Sequence, residues 1–409
     1  MPAIRLRLGA FSAAVALLAA TTSPSVAQKK YDIGASDSEI KIGNIMPYSG
    51  AASAYGVIGK TEEAYFRKIN AEGGINGRKI TFISYDDAYT PPKTVEQARK
   101  LVESDEVLLI FNSLGTPPNS AIQKYMNQKK VPQLFVATGA TKWNDPREFP
   151  WTMGWQPNYQ SESIIYAKYI LKNKPDAKIA VLYQNDDYGK DYLKGFKDGL
   201  GAKAASMIVA EDSYEVTEPT IDSHIVRLKA SGADVFFNIT TPKFAAQAIK
   251  KNAELNWHPL HFLNNVSGSI GSVIKPAGFE NAQDIISSQY FKDPTDPQWK
   301  TDKAMIAWNE FLDKYYPEAN RADASVMYAY IVSQGLVHVL KACGDDLTRE
   351  NVMKQAASIR DYEPGGLLPG VKVNTSATDF APLSQLQLIR FKGQTWERFG
   401  DILSGDVGG

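Results

Sequence analysis

The sequence has little of what most catalytic and nucleic-acid-binding proteins depend on. Its 409 residues include one cysteine and four histidines, and 45 basic residues balance 45 acidic ones to give a formal net charge of zero. Without a cluster of basic residues, nucleic acid and anionic membranes are poor candidate partners. A single cysteine excludes an internal disulfide bond, and we expect Cys343 to be buried as a small hydrophobic residue in an apolar helix.

Catalytic motifs are also missing. The sequence has no G-x-S-x-G nucleophile elbow and no G-x-x-x-x-G-K-[ST] phosphate loop. The four histidines, which are His224, His258, His261 and His338, show no metal-ligand spacing. We expect His338, which lies in an apolar helix, to be a core residue. We therefore expect a protein that is not an enzyme and that carries neither a metal nor a cofactor.

Two acidic pairs, Asp86-Asp87 and Asp186-Asp187, follow predicted strands. Adjacent side chains on an extended chain point apart, so paired acid–base chemistry is not indicated. A role in turns or helix caps is the favoured interpretation, and inter-domain hydrogen bonding is the alternative for the first pair.

The N-terminus is typical of an export signal. Residues 1–27 combine an early basic stretch (Arg5, Arg7), an apolar centre at 8–20 and a Ser25-Val26-Ala27 ending. This pattern predicts a cleavable signal peptide. No later run approaches the roughly 20 apolar residues of a membrane span, and no cysteine stands directly after the apolar centre to carry a lipid anchor. We expect a free protein of the bacterial periplasm.

The remaining 382 residues exceed what one hydrophobic core usually serves, so two domains are expected. Apolar runs such as "EIKIGNIM", "RKITFISYD" and "KIAVLY" alternate with helical patterns in two successive series. The rhythm predicts an α/β protein with two doubly wound parallel-sheet lobes. Near the C-terminus, period-2 alternation around Lys392-Gly393 predicts a β-hairpin.

Two strand-to-helix turns are candidate ligand sites. In "LLIFNSLGTPPNSA", Leu114-Gly115-Thr116 precedes a helix, with Thr116 expected as the N-cap and Pro117 as the first helical residue. Helix N-termini hold small anions such as carboxylates, although capping alone also explains the motif. The next strand ends in small and hydroxyl-bearing residues that would face the same spot, namely Thr138, Gly139, Ala140 and Thr141.

Aromatic residues recur at strand ends and suspected domain crossings, where they would line a ligand site or simply fill a core. They are Tyr48, Tyr55, Trp155, Tyr188, Tyr290 and Phe291. Thr240 and Asn265, at the ends of two later strands, complete the set of candidate ligand-binding residues.

Several segments together resemble a known family. "IKIGNIMPYSGAASAYG", "INAEGGINGRKITFISYDD", "PPKTVEQARKLVESDEVLLIF", "VPQLFVATGAT" and "IAVLYQNDDYGKDYLKG" are similar to the periplasmic solute-binding proteins of the leucine/isoleucine/valine type, the receptors of branched-chain amino-acid-type ABC importers. The resemblance implies a type I periplasmic binding fold, with two lobes joined by three hinge crossings and a ligand in the cleft. It implies lobes at about 30–157 with 288–386 and at 158–287 with 387–409.

The resemblance also implies roles for residues. The turns Leu114-Gly115-Thr116 and Gly139-Ala140-Thr141 would hold a ligand carboxylate, and Tyr55 and Tyr188 would close over it from opposite lobes. The partners implied are a small-molecule carboxylate and an inner-membrane ABC permease, with the protein acting as a monomer. A sensory receptor that serves a separate signalling partner is the alternative function.

One departure from the family bears on the ligand. Amino-acid-binding relatives commonly place an acidic residue after the strand matching "LHFLNN" to pair the ligand ammonium, but "FLNNVSGSIG" contains none. Because a desolvated ammonium needs a partner, either Asp187 or an aromatic face substitutes, or the ligand lacks an α-amino group. We expect an aromatic or otherwise apolar carboxylate.

Overall fold

The computed structural model describes residues 1–2 and 29–405, so the predicted signal peptide lies almost wholly outside the described residues. Within 29–405 the chain forms fourteen strands: β1 (Lys30–Tyr31), β2 (Glu39–Met46), β3 (Lys79–Asp86), β4 (Leu109–Phe111), β5 (Gln133–Val136), β6 (Thr152–Gly154), β7 (Ile179–Gln184), β8 (Ile208–Tyr214), β9 (Val235–Ile239), β10 (Leu260–Leu263), β11 (Ile286–Gln289), β12 (Asp346–Leu347), β13 (Gln385–Lys392) and β14 (Thr395–Ser404).

The same described part of the chain contains twelve α-helices: α1 (Val57–Ala71), α2 (Pro91–Arg99), α3 (Thr116–Lys129), α4 (Tyr159–Asn173), α5 (Asp187–Leu200), α6 (Ala204–Met207), α7 (Asp222–Ala230), α8 (Pro242–Glu254), α9 (Lys275–Ala277), α10 (Lys303–Tyr315), α11 (Ala324–Cys343) and α12 (Arg349–Ala356).

The first lobe is built on a parallel five-stranded sheet in the order β3-β2-β4-β5-β6. Helices cover both faces, which is why β4 is a continuous apolar run with no exposed residue. On one face Phe111 packs against Phe66 of α1 with ring centroids 5.9 Å apart, and on the other Ile110 packs with Ile122 and Met126 of α3. The carboxyl ends of these strands point towards the second lobe.

The second lobe is built on a seven-stranded sheet in the order β14-β13-β11-β10-β9-β7-β8. The strands from β8 to β11 run parallel, and β13 joins β11 in the antiparallel direction. β13 and β14 form the hairpin predicted around Lys392-Gly393. Gly393 has a φ of 60°, a value that suits glycine in a tight turn. The α/β fold class with two parallel-sheet lobes is confirmed.

The chain passes between the two sheets three times within 29–405: after β6, after β11 and before β13. These crossings fit the expected topology, while the residue boundaries of the lobes stay a prediction. Ala204–Met207 forms a helical turn directly before β8. β6 and the short pair β1–β12 went unpredicted, because two or three residues carry no detectable periodicity.

Helix α11 corrects one expectation from the sequence. Its 20 residues are long and apolar enough for a membrane span, a kind of segment we did not expect after the signal. However, 78% of its apolar window is buried inside the protein, so its composition reflects a core position. Cys343 at its end is 5% exposed, as predicted, and burial raises the pKa of its thiol to about 12.

Candidate functional site: a neutral, tyrosine-lined cleft

Two adjoining cavities lie where the carboxyl ends of the two sheets face each other. One, of about 370 Å³, is lined by Thr116 and is called the Thr116 cavity. The other, of about 380 Å³, is lined by Ser325 and is called the Ser325 cavity. Both contain Tyr55, Ile58, Gln156 and Val266 in their walls, so we treat them as two chambers of one central cleft. Its walls come from both lobes.

The turn before α3 forms one end of the Thr116 cavity. Gly115, and not Thr116 as predicted, is the N-cap: its carbonyl oxygen accepts the first helical hydrogen bond from Asn119, and Thr116 is already helical. Gly115 has a φ of 99°, and a Cβ atom there would lie 2.5 Å from the Tyr89 ring. The glycine therefore lets Tyr89 pack directly against the turn.

The proline pair after Thr116 limits the donors that this helix end can offer. Pro117 and Pro118 have no N–H group, and the Gly115 N–H donates to the Ala137 carbonyl oxygen. Among the described residues, the Thr116 N–H has no partner within hydrogen-bond distance. This N–H, at the positive end of a 14-residue helix, is thus the backbone donor left for a ligand.

The Thr116 hydroxyl is hydrogen-bonded to Thr138 at the end of the neighbouring strand. Their Oγ1 atoms are 2.6 Å apart and both side chains are buried. Thr138 Oγ1 also accepts from the Ala140 N–H and from Trp143 Nε1–H, each at 3.3 Å. Because these bonds use both of its lone pairs, Thr138 donates its own proton to Thr116. The Thr116 O–H is left as a second donor.

The turn Gly139-Ala140-Thr141 does not line the central cleft. Together with Thr138 it lines a third cavity of about 240 Å³, which shares only Gln156 with both central chambers. Thr141 donates from its N–H and its O–H to Asp191 Oδ2, at 2.8 and 3.0 Å. Asp191 belongs to α5 of the second lobe, so Thr141 makes a contact between lobes.

Six tyrosines line the central cleft. Tyr55 donates its hydroxyl to the Val266 carbonyl oxygen across the cleft at 2.9 Å, and Tyr188 accepts from Asn264 Nδ2 at 2.7 Å. Burial raises the pKa of both phenols well above the usual value, so both act as neutral hydrogen-bonding groups. Leu114, Asn265 and Tyr290 also line the cleft, whereas the sequence did not single out Tyr89, Tyr159 or Tyr328.

Two further predicted residues, Trp155 and Thr240, lie outside the cleft, and in each case the next residue along the chain lines it. Trp155 is fully buried in the first lobe against Phe135, with ring centroids 4.8 Å apart, while Gln156 lines the cleft. Thr240 donates to Asn238 at 2.7 Å inside the second lobe, while Thr241 lines the cleft. Successive residues of an extended chain point in opposite directions, so an error of one residue reverses the assignment.

Charged groups surround the cleft without entering it. Among the described residues, no Lys, Arg, Asp or Glu lines either central cavity. Asp187, suggested as an ammonium partner, instead pairs with Lys142 at 3.1 Å with 57% of its side chain exposed. A ligand in this cleft meets only neutral side chains and backbone groups.

Buried Glu162 lies behind the cleft wall. Its carboxylate accepts from the Asn265 N–H, the Tyr166 hydroxyl and the Tyr192 hydroxyl, each at 2.7 Å. Burial raises the pKa of Glu162 to about 7, although these hydrogen bonds act in the opposite direction. Glu162 holds Asn265 in place from within the second lobe.

Two of the predicted acidic residues and three of the histidines make local contacts away from the central cleft. Asp86 accepts from the backbone N–H groups of Tyr48, Ser49 and Ala88, which fits the predicted turn role. Asp186 caps α5. His261 is buried beside Asn238, His258 is exposed beside Asn256, and His338 is partly buried and stacks on Tyr362 with ring centroids 4.1 Å apart.

Comparisons with known proteins agree with this architecture. Residues 39–395 match the sequence model of the family described as periplasmic binding protein. The chain is 26% identical over 340 residues to Leu/Ile/Val-binding protein homolog 2 of Brucella abortus, covering 81% of this chain and 85% of that protein.

Solved structures share the fold. A branched-chain amino acid ABC transporter protein from Thermus thermophilus with bound valine superposes with a TM-score of 0.80 at 15% identity, covering 90% of this chain and 96% of that one. An ABC transporter solute-binding protein from R. palustris in complex with benzoate gives a TM-score of 0.75 at 19% identity, covering 91% and 98%. The two-lobed fold, the cleft between the lobes and the match over most of the chain lead to one conclusion: this chain belongs to the periplasmic binding protein family.

Proposed function

We propose that the protein is the periplasmic substrate-binding component of a branched-chain amino-acid-type ABC importer. It captures a small carboxylate with an apolar or aromatic body in the central cleft and presents it to an inner-membrane permease. The observation that carries the proposal is a cleft with two unpaired donors at Thr116, tyrosines along its walls and no charged side chain among the described lining residues.

The carboxylate part of the proposal rests on the Thr116 N–H and O–H. Both lie at the positive end of α3, and hydrogen bonds from such donors to an anionic acceptor are stronger than those between neutral groups. The Thr116–Thr138 bond and the fixed φ of the following prolines hold the donors in place before the ligand arrives.

The apolar or aromatic part rests on what the cleft lacks. An α-ammonium group placed there would be desolvated without an acidic partner in the lining. The edge-to-face pair of Tyr159 and Tyr188, with centroids 5.5 Å apart, offers a surface suited to an aromatic or aliphatic body. The benzoate bound to the R. palustris protein is consistent with such a ligand in this fold.

A thermal-shift screen tests the proposal. The panel contains aliphatic amino acids, benzoate-like acids and phenylpropanoid-like acids. A ligand at 100 times its dissociation constant adds about 2.7 kcal/mol to the free energy of unfolding, which raises the melting temperature by about 2 °C or more. We expect the apolar acids to produce the shift. A shift with amino acids alone would show that the ligand class is wrong, and no shift with any member would reject the proposal.

A further inference from the structure

The Ser325 cavity carries polar groups that the carboxylate does not use. Asn265 Nδ2 donates to the Ser288 carbonyl oxygen at 2.5 Å, which fixes the amide orientation. Asn265 Oδ1 accepts no hydrogen bond from any residue that the structure describes. The Ser325 side chain lines the same cavity beside the Asp323 carboxyl group. This end of the cleft therefore offers an acceptor and a hydroxyl that can donate or accept.

The two ends of the cleft are chemically different. The Thr116 end presents donors, which suit an acceptor such as a carboxylate, whereas Asn265 Oδ1 suits a donor on the ligand. Between them lie the four residues that belong to the walls of both cavities: Gln156, which is polar, and Tyr55, Ile58 and Val266, which give the middle a mainly apolar surface. A ligand that filled both chambers with an apolar far end would leave Asn265 Oδ1 covered and unpaired, which is unfavourable.

We infer that the ligand has two polar ends: a carboxylate at Thr116, an apolar or aromatic body across Tyr55, Ile58 and Val266, and a hydroxyl group at Asn265 and Ser325. This inference rests on the proposed function, because it takes the carboxylate end as given. The ligand hydroxyl donates to Asn265 Oδ1 and accepts from the Ser325 hydroxyl, which gives up its side-chain hydrogen bond to the Asp323 carboxyl group to do so.

A hydroxyl fits this end better than an ammonium group. The two nearby acids already have partners: Glu162 accepts from the Asn265 N–H, and Asp323 accepts from the Ser269 O–H at 3.0 Å and from the Ser325 N–H at 3.0 Å. Burial raises the pKa of both carboxyl groups, which weakens the negative charge behind the wall. An ammonium would have no direct anionic partner, while a hydroxyl needs only neutral ones.

Calorimetric titration of the full-length mature protein with two matched probes tests the inference. The probes are 3-phenylpropanoate and 3-(4-hydroxyphenyl)propanoate, which differ only in the para hydroxyl. We expect the hydroxylated acid to bind about tenfold more tightly or better, the size of effect that follows when a site built to hydrogen-bond a hydroxyl meets an analogue without it. Ser325→Ala is expected to reduce the ratio of the two affinities to about threefold or less, since the ligand hydroxyl then loses one of its two hydrogen bonds.

Ser333→Ala is the matched control. Ser333 lies on the same helix, is fully buried, and lines neither central cavity, so its removal should leave the ratio unchanged. Equal affinity of the two probes for the wild type would overturn the two-ended ligand while leaving carboxylate capture intact. A ratio that stays the same in Ser325→Ala would also overturn it. Failure of both probes to bind would reject the inference together with the proposed function.

Discussion

Gly115 and Thr116 determine the polar end of the cleft at the scale of single residues. Gly115 allows Tyr89 to contact the turn, and Thr116 supplies the two donors that remain after the prolines and Thr138 are taken into account. Both residues are held in place before a ligand is present, because Gly115 packs against Tyr89 and Thr116 bonds to Thr138 within the first lobe.

Replacing Thr116 with valine keeps the shape of the side chain and removes the hydroxyl. The loss of one hydrogen bond to a carboxylate should cost about 1–2 kcal/mol, or about 5–30-fold in affinity, measured by calorimetry with 3-phenylpropanoate. Thr61→Val is the control, because the Thr61 hydroxyl bonds only to the Val57 carbonyl oxygen within α1 and is equally buried. Unchanged affinity in Thr116→Val would show that the Thr116 hydroxyl does not bind the carboxylate.

Gly115→Ala tests the packing of the turn. The substitution places a Cβ atom 2.5 Å from the Tyr89 ring in a backbone conformation with a φ of 99°. Gly232→Ala separates the two effects, because Gly232 has a φ of 73° and no heavy atom within 4 Å of the added carbon. We expect about 1 kcal/mol of destabilisation at Gly232 and at least about 1–3 kcal/mol more at Gly115, from urea unfolding. An equal loss of stability in the two variants would mean that the Tyr89 ring moves away from the added Cβ atom without an energetic cost.

The candidate residues show what a sequence can reveal at this scale. Eight of the fifteen residues named from the sequence line the central cleft: Tyr55, Leu114, Gly115, Thr116, Tyr188, Asn265, Tyr290 and Phe291. Trp155 and Thr240 miss it because the strand-end pattern locates a segment but not the direction of each side chain. Gln156 and Tyr89 gave no signal, since an isolated glutamine or tyrosine in a turn has no characteristic spacing.

At the scale of elements, Glu162 ties two helices to the cleft wall. It lies on α4, accepts from Tyr192 of α5, and holds the backbone of Asn265 after β10. A carboxylate in this position is satisfied by three donors but remains shielded from water, and the shielding has the larger effect on its pKa.

The raised pKa predicts a pH-dependent stability. The pKa of Glu162 rises from 4.5 to about 7, so the folded state keeps a proton that the unfolded chain releases. The corresponding stability is fully present below about pH 4.5 and is lost as the pH rises through 7. Glu162→Gln should remove this pH-dependent loss. The free energy of unfolding of the variant, measured with urea, should therefore rise by about 2–3 kcal/mol relative to that of the wild type as the pH increases from 5 to 8.

An exposed substitution controls for the change in charge. Glu63 on α1 has 58% of its side chain exposed, and Glu63→Gln should show little change relative to the wild type over the same pH range. A constant difference between Glu162→Gln and the wild type from pH 5 to pH 8 would mean that Glu162 titrates at its ordinary value.

Most elements could be predicted because their periodicity extends over whole strands and helices. The segment "EIKIGNIM" coincides with β2, and the C-terminal alternation coincides with the hairpin of β13 and β14. The helix start at Gly115 was misplaced by one residue, because threonine is a common N-cap and the positive φ of the glycine is visible only in the structure.

At the scale of the whole molecule, the lobes are held together by contacts on either side of the cleft. Tyr55 bonds to Val266, Thr141 bonds to Asp191, and Lys142 pairs with Asp187. The repeated βαβ pattern predicts two sheets, but these contacts join residues far apart in sequence, such as 55 and 266, and no local pattern indicates them.

Thr141→Val should loosen the closed arrangement. It removes the hydroxyl bonds to Asp191 and Asn158 but keeps the N–H bond to Asp191, so we expect a cost of about 1 kcal/mol to the closed state and about fivefold weaker ligand binding. Small-angle X-ray scattering of the ligand-free protein should give a larger radius of gyration than the wild type. Lys142→Ala, which removes an exposed ion pair, should have a smaller effect. A normal radius with weakened binding would instead indicate that Thr141 contacts the ligand.

The central claim is that the cleft recognises a carboxylate on an apolar body, and one titration tests it most directly. Wild-type protein is titrated calorimetrically with 3-phenylpropanoate and with 3-phenylpropanamide, which share their body and differ in charge. Because the donors at Thr116 lie at a helix N-terminus, we expect one acid molecule to bind per protein, about tenfold more tightly than the amide or better. Equal binding, or tighter binding of the amide, would contradict the claim.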